Sequence, residues 1–360
     1  MCLRPVLIKN QSRMYRGKVD CLTSFHDTKS QYVYVPCGTC EQCVRLKQSY
    51  LVQRSMLEAM DNYLFFGTLT YSDEFLPTVD INGIYHHYAD GRHFQNMMKR
   101  LRKSDFFRKF NDDEGNCHIK YLYVSEYGSR KHRPHFHFIL FVPKTIEDNC
   151  FTPLEYERIL KKLVLSEWSV NVGTTRCPIY KPLCVYTCQH NHGRFSTNYD
   201  LHYVNPLLTK GQQSDAVFYA TKYCLKYDSW LERKRVALWK NLPLDDYYKF
   251  WKLLKPIMRT SKHFGLSASA RKYVRDCIEL YSDKSLYPLF RNPVTGQLFP
   301  MSPYLFNKYG TLYDKYTFYY RDKNPDSDND SFRYSSIDYN EYQNKVDKFL
   351  FQNSCIQSYD

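Results

Sequence analysis

The sequence lacks the long apolar segments that membrane insertion or secretion requires. No run of about 18 apolar residues occurs, which argues against a membrane-spanning helix. The first residues, MCLRPVLIKNQSRM, contain no apolar stretch of the kind found in a signal peptide. We therefore expect a cytosolic protein with no membrane partner.

The chain is also short of acidic residues. It carries 37 Asp and Glu against 51 Lys and Arg, a formal net charge of +14, and the basic excess is spread along the 360 residues. This balance favours a polyanionic partner, and nucleic acid before a membrane surface. The 34 Tyr and 23 Phe fit that expectation, because aromatic rings among basic side chains stack well on unpaired bases. Most of the rings are nevertheless expected in the core, where aromatic residues dominate burial.

Short apolar runs alternate with amphipathic segments along the chain. The predicted strands are 63–71, 118–126 and 135–142, and the predicted helices are 41–60, 93–107, 153–168 and 215–227. In this order they predict an α+β fold, in which helices pack on an antiparallel central sheet. The stretch RDKNPDSDNDS, residues 321–331, is predicted to be a linker because it is rich in Asp, Asn and Ser.

Two histidines interrupt the apolar run RPHFHFILF, residues 133–141. In a strand, His135 and His137 project from the same face and lie roughly 6–7 Å apart, close enough for both to bind one cation. The pattern alone is weak, since 12 histidines in a chain of this length give about 0.4 such pairs by chance. A second pair, in the HNH stretch at 190–192, lies among polar residues and is expected in a surface loop. Metal ligands and buried core histidines both remain open for His135 and His137.

A carboxylate stands near this pair in the sequence. Glu126 ends the preceding predicted strand, and YGSRKHRP follows it, long enough to return the chain to the histidines. A hard cation needs oxygen as well as nitrogen ligands, so Glu126 is the candidate third ligand. The alternative is a solvated carboxylate at the end of a strand.

The stretch YATKYCLKY spaces three tyrosines four residues apart. Tyr219, Tyr223 and Tyr227 would form one stripe of a helix, with Lys222 and Lys226 three residues after the first two. Such a stripe is more often core packing than catalytic. A phenol with a pKa of about 10 is a poor nucleophile at neutral pH, but a metal and a nearby cation can make it effective. Together with two histidines and a glutamate, the stripe would suit phosphodiester transesterification.

Thirteen cysteines in a chain without a secretion signal are better explained as reduced thiols or metal ligands than as disulfides. Cys37, Cys40 and Cys43 have zinc-ligand spacing, and a tetrahedral site needs a fourth ligand, for which Cys2 or Cys21 is the candidate. The alternative is three free thiols. A second group has looser spacing: Cys177, Cys184, Cys188 and His190. Neither group is expected to be catalytic, because no base accompanies a thiol.

Three motifs together resemble those of the HUH endonucleases. FGTLTY (66–71), EYGSRKHRPHFHFILF (126–141) and YATKYCLKY (219–227) follow the order and rough spacing of the motifs of that superfamily. More narrowly, MCLRPVLIKN, PCGTCEQC and FQNMMKRLRK resemble segments of the replication initiators of microviruses, especially the gokushovirus-like branch. The resemblance covers roughly residues 1–270. MRTSKHFGLSA (258–268) departs from the Ser-Arg-Gly-rich segment usual there, and the chain beyond about 290 has no counterpart.

The resemblance implies a ferredoxin-like or RRM-like sheet nuclease of the two-tyrosine class. It implies Mg²⁺ or Mn²⁺ held by His135, His137 and Glu126. Tyr219 and Tyr223 would be the nucleophiles: one cuts an origin strand and keeps the 5′-phosphate, and the other attacks the regenerated origin so that the displaced strand is circularised. Lys222 and Lys226 would steady the phosphate or the phenolate.

The resemblance also implies partners and a division of the chain. The partners would be single-stranded DNA of a phage origin, a host helicase and host replication proteins, all in the bacterial cytoplasm. The residues expected to contact DNA are Lys99, Arg100, Arg102, Lys103 and Arg133. The expected division is a Cys-rich N-terminal segment and helix (1–58), an endonuclease core (59–232), a helical, Tyr-rich C-terminal extension (233–320), and a linker and tail (321–360).

Two other functions remain open from the sequence. One is a non-catalytic, zinc-knuckle protein that binds single-stranded DNA, which the charge and the tyrosine content support equally well. The other keeps the chemistry but makes the chain a transposase or a conjugative relaxase of the HUH group. The histidine pair with its upstream glutamate and the doubled Tyr-x-x-Lys pattern favour a tyrosine nuclease over the binding protein.

Overall fold

The structure is a computed structural model. It describes residues 6–9, 32–35, 37, 40–108, 119–129, 131–144, 151–184, 199–204, 229–281, 288–293 and 296–310. The chain divides into two compact units, one formed by residues 1–53 and 270–360 and the other by residues 54–269. The predicted four-part division stays a prediction.

Thirteen strands and eight helices occur in the described residues. The strands are β1 (Val6–Lys9), β2 (Tyr32–Val35), β3 (Asn62–Thr70), β4 (Thr78–Ile81), β5 (Ile84–His87), β6 (Lys120–Tyr127), β7 (Pro134–Pro143), β8 (Ser169–Asn171), β9 (Tyr180–Pro182), β10 (Tyr199–Val204), β11 (Met258–Thr260), β12 (Leu289–Arg291) and β13 (Leu298–Pro300). The helices are α1 (Glu41–Asp61), α2 (Gly91–Lys103), α3 (Asp105–Arg108), α4 (Pro153–Glu167), α5 (Ser229–Asn241), α6 (Leu244–Leu254), α7 (Ala268–Tyr281) and α8 (Pro303–Tyr309).

The unit of residues 54–269 is built on a five-stranded antiparallel sheet of order β10-β3-β7-β6-β11. This sheet with its packed helices confirms the predicted α+β class. The predicted strands correspond to β3, β6 and β7, and three predicted helices correspond to α1, α2 with α3, and α4. The edge strands β10 and β11 were not predicted. The predicted helix at 215–227 and the predicted linker at 321–331 lie outside the described residues.

One face of the sheet carries the main core. Because side chains alternate along a strand, Phe136 and Phe138 point away from His135 and His137. They meet α2, whose Phe94 ring lies 5.9 Å from Phe136 and 5.6 Å from Phe138. The buried apolar residues of α2 and α4 join the same cluster: Phe94, Met97, Met98, Leu101, Tyr156, Leu160 and Val164.

Both core helices begin with side-chain caps. Asp90 accepts the backbone N–H of Arg92 at the start of α2. Thr152 and Glu155 form a capping box at the start of α4, with Pro153 in its first turn as the sequence predicted. These caps satisfy backbone donors that a helix terminus leaves without partners.

Gly67 in β3 is required by close packing. A Cβ there would lie 2.3 Å from Cζ of Phe138 and 3.0 Å from the carbonyl oxygen of Asp200. Any larger residue would therefore push β3 away from β7 and β10. The absence of a side chain at Gly67 lets the Phe138 ring lie beneath the strand.

The opposite face of the sheet is covered at one end only. At that end the Glu58 carboxylate of α1, which is fully buried, accepts hydrogen bonds from Lys120 Nζ (2.7 Å) and from the backbone of Gly265 (2.7 Å). The Phe264 ring packs on Phe141 at 5.2 Å. The other end of this face carries polar residues, and it is there that the candidate site lies.

The unit of residues 1–53 and 270–360 contains smaller elements. β1 pairs with β2, and β12 pairs with β13. The Gln53 amide donates to the carbonyl of Pro300 and accepts the backbone N–H of Ser302, which joins α1 to the start of α8. In the part of the chain that the structure describes, no helix is both long enough and apolar enough to span a bilayer.

Candidate functional site

The β6–β7 hairpin brings together the three predicted metal ligands. Its register places Glu126 directly opposite His135, with His137 two residues farther along β7 on the same face. Glu126 Oε1 lies 2.8 Å from His135 Nε2 and 3.2 Å from His137 Nε2. The two imidazole rings are 4.8 Å apart and nearly perpendicular. One carboxylate oxygen thus faces two ring nitrogens.

Neighbouring groups fix the orientation of both rings. Thr68 of β3 lies opposite His137 in the register, and its Oγ1 is 3.1 Å from His137 Nδ1. The Phe66 ring stacks on His137 with an interplanar angle of 14°. His135 Nδ1 is 3.2 Å from the carbonyl oxygen of Arg133. Such contacts on the far nitrogen hold a histidine ligand in one tautomer and one orientation.

The tautomer of His135 indicates that a cation belongs in the site. The Arg133 carbonyl can only accept, so His135 Nδ1 must carry the hydrogen. In a neutral ring Nε2 then presents a lone pair to Glu126 Oε1 at 2.8 Å. Two acceptors at this distance repel each other unless a proton or a metal ion lies between them.

The charge state of Glu126 fits the same conclusion. Burial raises the pKa of Glu126, but hydrogen bonds from His135 and His137 outweigh that effect and lower the pKa to about 2. The carboxylate is therefore ionised at neutral pH. Its second oxygen, Oε2, is buried and has no hydrogen-bond partner among the described residues. Two imidazoles and a carboxylate with a spare oxygen are a donor set that suits a divalent cation.

A basic cavity opens beside the three side chains. It has a volume of about 380 Å³ and is lined by Thr70, Gly128, Ser129, Lys131, Arg133 and His135. Arg133 forms an ion pair with exposed Asp73 and lowers the pKa of that carboxyl through a hydrogen bond. None of the described residues that line the cavity is acidic. A phosphate group would meet two cationic side chains there, and one of them, Arg133, is a predicted DNA contact.

The other predicted DNA contacts lie on the opposite side of the sheet. Lys99 and Lys103 of α2 are exposed. Arg100 is bound to the side chain and the backbone of Glu167, and Arg102 donates to the carbonyl of Ile119. Because α2 packs on the core face, none of these side chains shares a face with Glu126. Their role in DNA binding stays a prediction.

Three predicted cysteine ligands come together in the unit of residues 1–53 and 270–360. The Sγ atoms of Cys37, Cys40 and Cys43 all lie within 4.8 Å of one another. The backbone N–H of Cys40 donates to Cys37 Sγ at 3.3 Å. The three thiols can therefore hold a metal ion, and the candidates for a fourth ligand, Cys2 and Cys21, lie outside the described residues.

Several predicted residues cannot be placed. Cys177 is exposed and Cys184 is buried, with its thiol pKa raised by that burial. The remaining members of their group lie outside the described residues, and so do the predicted catalytic residues: Cys188, His190, Tyr219, Tyr223, Lys222 and Lys226.

Sequence reasoning missed the groups that support the histidines. Thr68 and Thr70 alternate along FGTLTY in a way that places them on one face, so the pattern contained a usable signal. The contact of His132 with Trp230, whose rings stack 4.0 Å apart at 7°, had none. These two residues are far apart in the sequence and belong to different elements.

Comparison with known proteins identifies relatives associated with replication. Residues 64–228, just under half of the chain, match the sequence model of a family described as replication-associated protein ORF2. Over 149 residues the chain is 30% identical to the replication-associated protein ORF2 of Spiroplasma virus 4, which covers 39% of this chain and 44% of that protein. Over 120 residues it is 27% identical to the replication-associated protein ORF4 of Chlamydia phage 1, which covers 33% of this chain and 27% of that protein.

The similarity is confined to part of each protein. The chain spans less than half the length of either relative, and no solved structure gives a significant match. The matched family region, 64–228, includes the β6–β7 hairpin with all three clustered side chains. It also includes Tyr219 and Tyr223.

Manganese binding tests the cluster directly. After removal of bound metal with EDTA, we expect isothermal titration calorimetry to show Mn²⁺ binding that falls by more than about 100-fold in a His135→Ala, His137→Ala variant, because two of three ligands are lost. Glu126→Gln should weaken binding in the same direction.

His263→Asn is the matched control for this measurement. His263 is an exposed histidine with a left-handed backbone (φ 58°) that asparagine tolerates well, and its carbonyl contacts Lys120 at the far end of β6. This variant should keep full Mn²⁺ affinity. Unchanged affinity in the double histidine variant would show that the cluster is not the metal site.

Proposed function

We propose that this chain initiates rolling-circle replication by metal-dependent, site-specific nicking and rejoining of single-stranded DNA through a 5′-phosphotyrosine intermediate. The observation that carries the proposal is the Glu126 carboxylate oxygen shared by His135 and His137. The similarity to viral replication-associated proteins supports replication as the process. The basic cavity beside the cluster supports a phosphodiester as the substrate.

His135, His137 and Glu126 would hold the cation. A divalent ion bound there polarises the scissile phosphate and stabilises the charge that develops on it. Thr68, Phe66 and the Arg133 carbonyl keep the imidazoles oriented. Arg133 and Lys131 would attract the phosphodiester into the cavity by charge.

The nucleophile in this proposal is the hydroxyl of Tyr219 or Tyr223. Its oxygen forms a bond to phosphorus, and the bond from phosphorus to the 3′ oxygen of the preceding nucleotide breaks. The phenol proton is lost, and the departing 3′ oxygen gains a proton to become a hydroxyl that can prime synthesis. Lys222 and Lys226 would stabilise the phenolate and the phosphate charge. The second tyrosine repeats the transfer after one round, and the freed 3′-hydroxyl then closes the displaced strand.

The start of α5 supports delivery of the tyrosines to this site. Trp230 stacks on His132 of the β6–β7 turn and lies 5.3 Å from the ring of Tyr127, the residue after Glu126. His132 has a left-handed backbone (φ 46°), which is unusual for a residue other than glycine. Lys234 Nζ lies 4.3 Å from the Trp230 ring, so α5 is anchored beside the metal hairpin.

Chain length then limits how far the tyrosines can lie from the hairpin. Tyr223 precedes Trp230 by seven residues, and seven residues span about 10 Å in a helix or about 25 Å when fully extended. Tyr219 is four residues farther. We infer that Trp230 is a positioning residue that keeps the tyrosine-bearing segment close to the cluster of Glu126, His135 and His137.

A second candidate function is binding of single-stranded DNA without catalysis. The close thiols of Cys37, Cys40 and Cys43 favour it, because they are the beginning of a zinc knuckle. An HUH transposase or relaxase would share the chemistry of the first proposal. The similarity to replication-associated proteins favours an initiator over those two.

Covalent capture of DNA tests the proposed reaction. We expect a single-stranded oligonucleotide carrying the origin to form a protein–DNA adduct in Mn²⁺ that survives denaturing electrophoresis. A label at the 3′ end of the oligonucleotide should stay with the protein, whereas a label at the 5′ end should leave on a fragment that a polymerase can extend. The adduct should disappear in the Tyr219→Phe, Tyr223→Phe variant and in EDTA.

Tyr227→Phe is the control, since it removes the third hydroxyl of the same stripe and should leave the adduct intact. An undiminished adduct in the double tyrosine variant would place the nucleophile elsewhere. Tight binding with no adduct under any condition would support the non-catalytic function instead.

The anchor on α5 gives a separate expectation. Trp230→Ala should lower adduct yield by about 10- to 100-fold through misplacement of the nucleophile, while Mn²⁺ affinity stays at its original value. Trp230→Phe should retain part of the activity because a ring remains to stack on His132. Trp239→Ala changes a half-exposed tryptophan of the same helix and should have little effect. Full activity of Trp230→Ala would refute the positioning role.

A further inference from the structure

A second cavity lies on the far side of the sheet from the metal ligands. It has a volume of about 310 Å³ and is formed by α2 and by the β8–β9 hairpin. The residues that matter to its chemistry are His93, Asn96, Lys99, Arg100 and Tyr180. α2 contributes five Lys and Arg within 13 residues and no Asp or Glu. Among the described residues, no carboxylate lines the cavity.

Arg100 acts as a strut that fixes an exposed ring. Its Nε donates to Glu167 Oε2 at 3.0 Å, and its Nη2 donates to the carbonyls of Glu167 and Ser169 at 2.6 and 2.9 Å. The guanidinium lies 4.9 Å from the centre of the Tyr180 ring. Tyr180 nevertheless remains 51% exposed. Arg100 therefore supports the ring, and its charge is balanced by Glu167.

The hairpin that carries Tyr180 is held in one shape. Asn171 Oδ1 accepts the backbone N–H groups of Gly173 and Ile179, both at 2.9 Å. A Cβ at Gly173 would lie 2.4 Å from the carbonyl oxygen of Cys177, so only glycine fits this close approach. The Tyr180 ring is thus presented in advance, and little ordering is required when a ligand binds.

Polar groups of α2 complete the cavity. Lys99 is exposed and forms no ion pair with any residue that the structure describes. Asn96, one turn before it, is also exposed. His93 uses Nδ1 in a contact with the Tyr71 hydroxyl at 3.2 Å, which leaves Nε2 for a ligand. A cation, an amide and an imidazole therefore surround an exposed aromatic ring.

We propose that this cavity binds one nucleotide of single-stranded DNA, with the base stacked on Tyr180 and the phosphate paired with Lys99. Unpaired bases stack on exposed aromatic rings in proteins that bind single strands, and lysines along the groove contact the backbone. A duplex would keep its bases inside the stack and could not present one to Tyr180. The proposal rests on the function proposed above, because it makes this surface a second contact for the DNA that the metal site cuts.

The position of the cavity gives the second contact its use. The Phe94 ring of α2 packs on Phe136 and Phe138, which point away from His135. A strand held at Tyr180 is therefore held on the opposite side of the sheet from the cation and the tyrosines. Binding there would keep DNA on the protein whether or not the scissile phosphate is engaged.

Binding without cleavage tests this surface. In EDTA, we expect fluorescence anisotropy with a labelled oligothymidine of about 20 nucleotides to show about tenfold weaker binding for Tyr180→Ala, with binding retained by Tyr180→Phe, which keeps the ring. Lys99→Ala should weaken binding and reduce the slope of log K against log salt by about 0.7, the value for one phosphate contact on a single strand. Lys99 is exposed, so its removal should leave the fold intact.

Lys162→Ala and Tyr248→Ala are the matched controls, since both residues are exposed and lie on other helices of the same unit. Both should bind like the original protein. Original affinity and an original salt slope in Lys99→Ala and Tyr180→Ala would overturn the proposal. An equal loss of affinity for a duplex of the same length would overturn the assignment to single strands.

The outcome is separable from that of the proposed nicking reaction. The Tyr219→Phe, Tyr223→Phe variant should show the same dependence on Lys99 and Tyr180 as the original protein. If no adduct forms but this dependence is found, the nicking proposal fails and the second contact stands. If the adduct forms and the dependence is missing, the second contact fails and nicking stands.

Discussion

The site depends on one carboxylate oxygen shared by two imidazole nitrogens across two neighbouring strands. Glu126 and the two histidines meet only because β6 and β7 pair in one register. A slip of one residue would turn Glu126 to the core face and leave His135 and His137 without their acceptor. The buried rings of Phe136 and Phe138 resist such a slip, since it would bring them to the open face. The hydrophobic core therefore sets the geometry of the polar cluster.

The two faces of the sheet separate two tasks. The face that carries Glu126 is covered at one end by Glu58, Lys120 and Phe264 and is left polar at the other. The core face binds α2, whose outer side carries Lys99 and adjoins the β8–β9 hairpin. Chemistry on one side and retention of the strand on the other would let a covalent initiator hold DNA while the 3′-hydroxyl is extended.

The sequence predicted what depends on local periodicity and missed what depends on long-range pairing. Alternation along β7 was enough to place His135 and His137 on one face, and the helical period was enough to identify α2 as basic and amphipathic. Periodicity does not show which element a face meets, so α2 was not expected behind the sheet. The short edge strand β11 and the stack of His132 on Trp230 were missed for the same reason, because their partners lie more than about 90 residues away in the chain.

The central claim is that Glu126, His135 and His137 form a divalent-cation centre, and its most direct test is pulsed electron paramagnetic resonance of the Mn²⁺-loaded protein. Electron spin-echo envelope modulation should show coupling of the manganese to imidazole nitrogen. Replacing either His135 or His137 with alanine should reduce that coupling, and replacing both should abolish it. A spectrum of Mn²⁺ bound to the original protein with no nitrogen coupling would contradict the account.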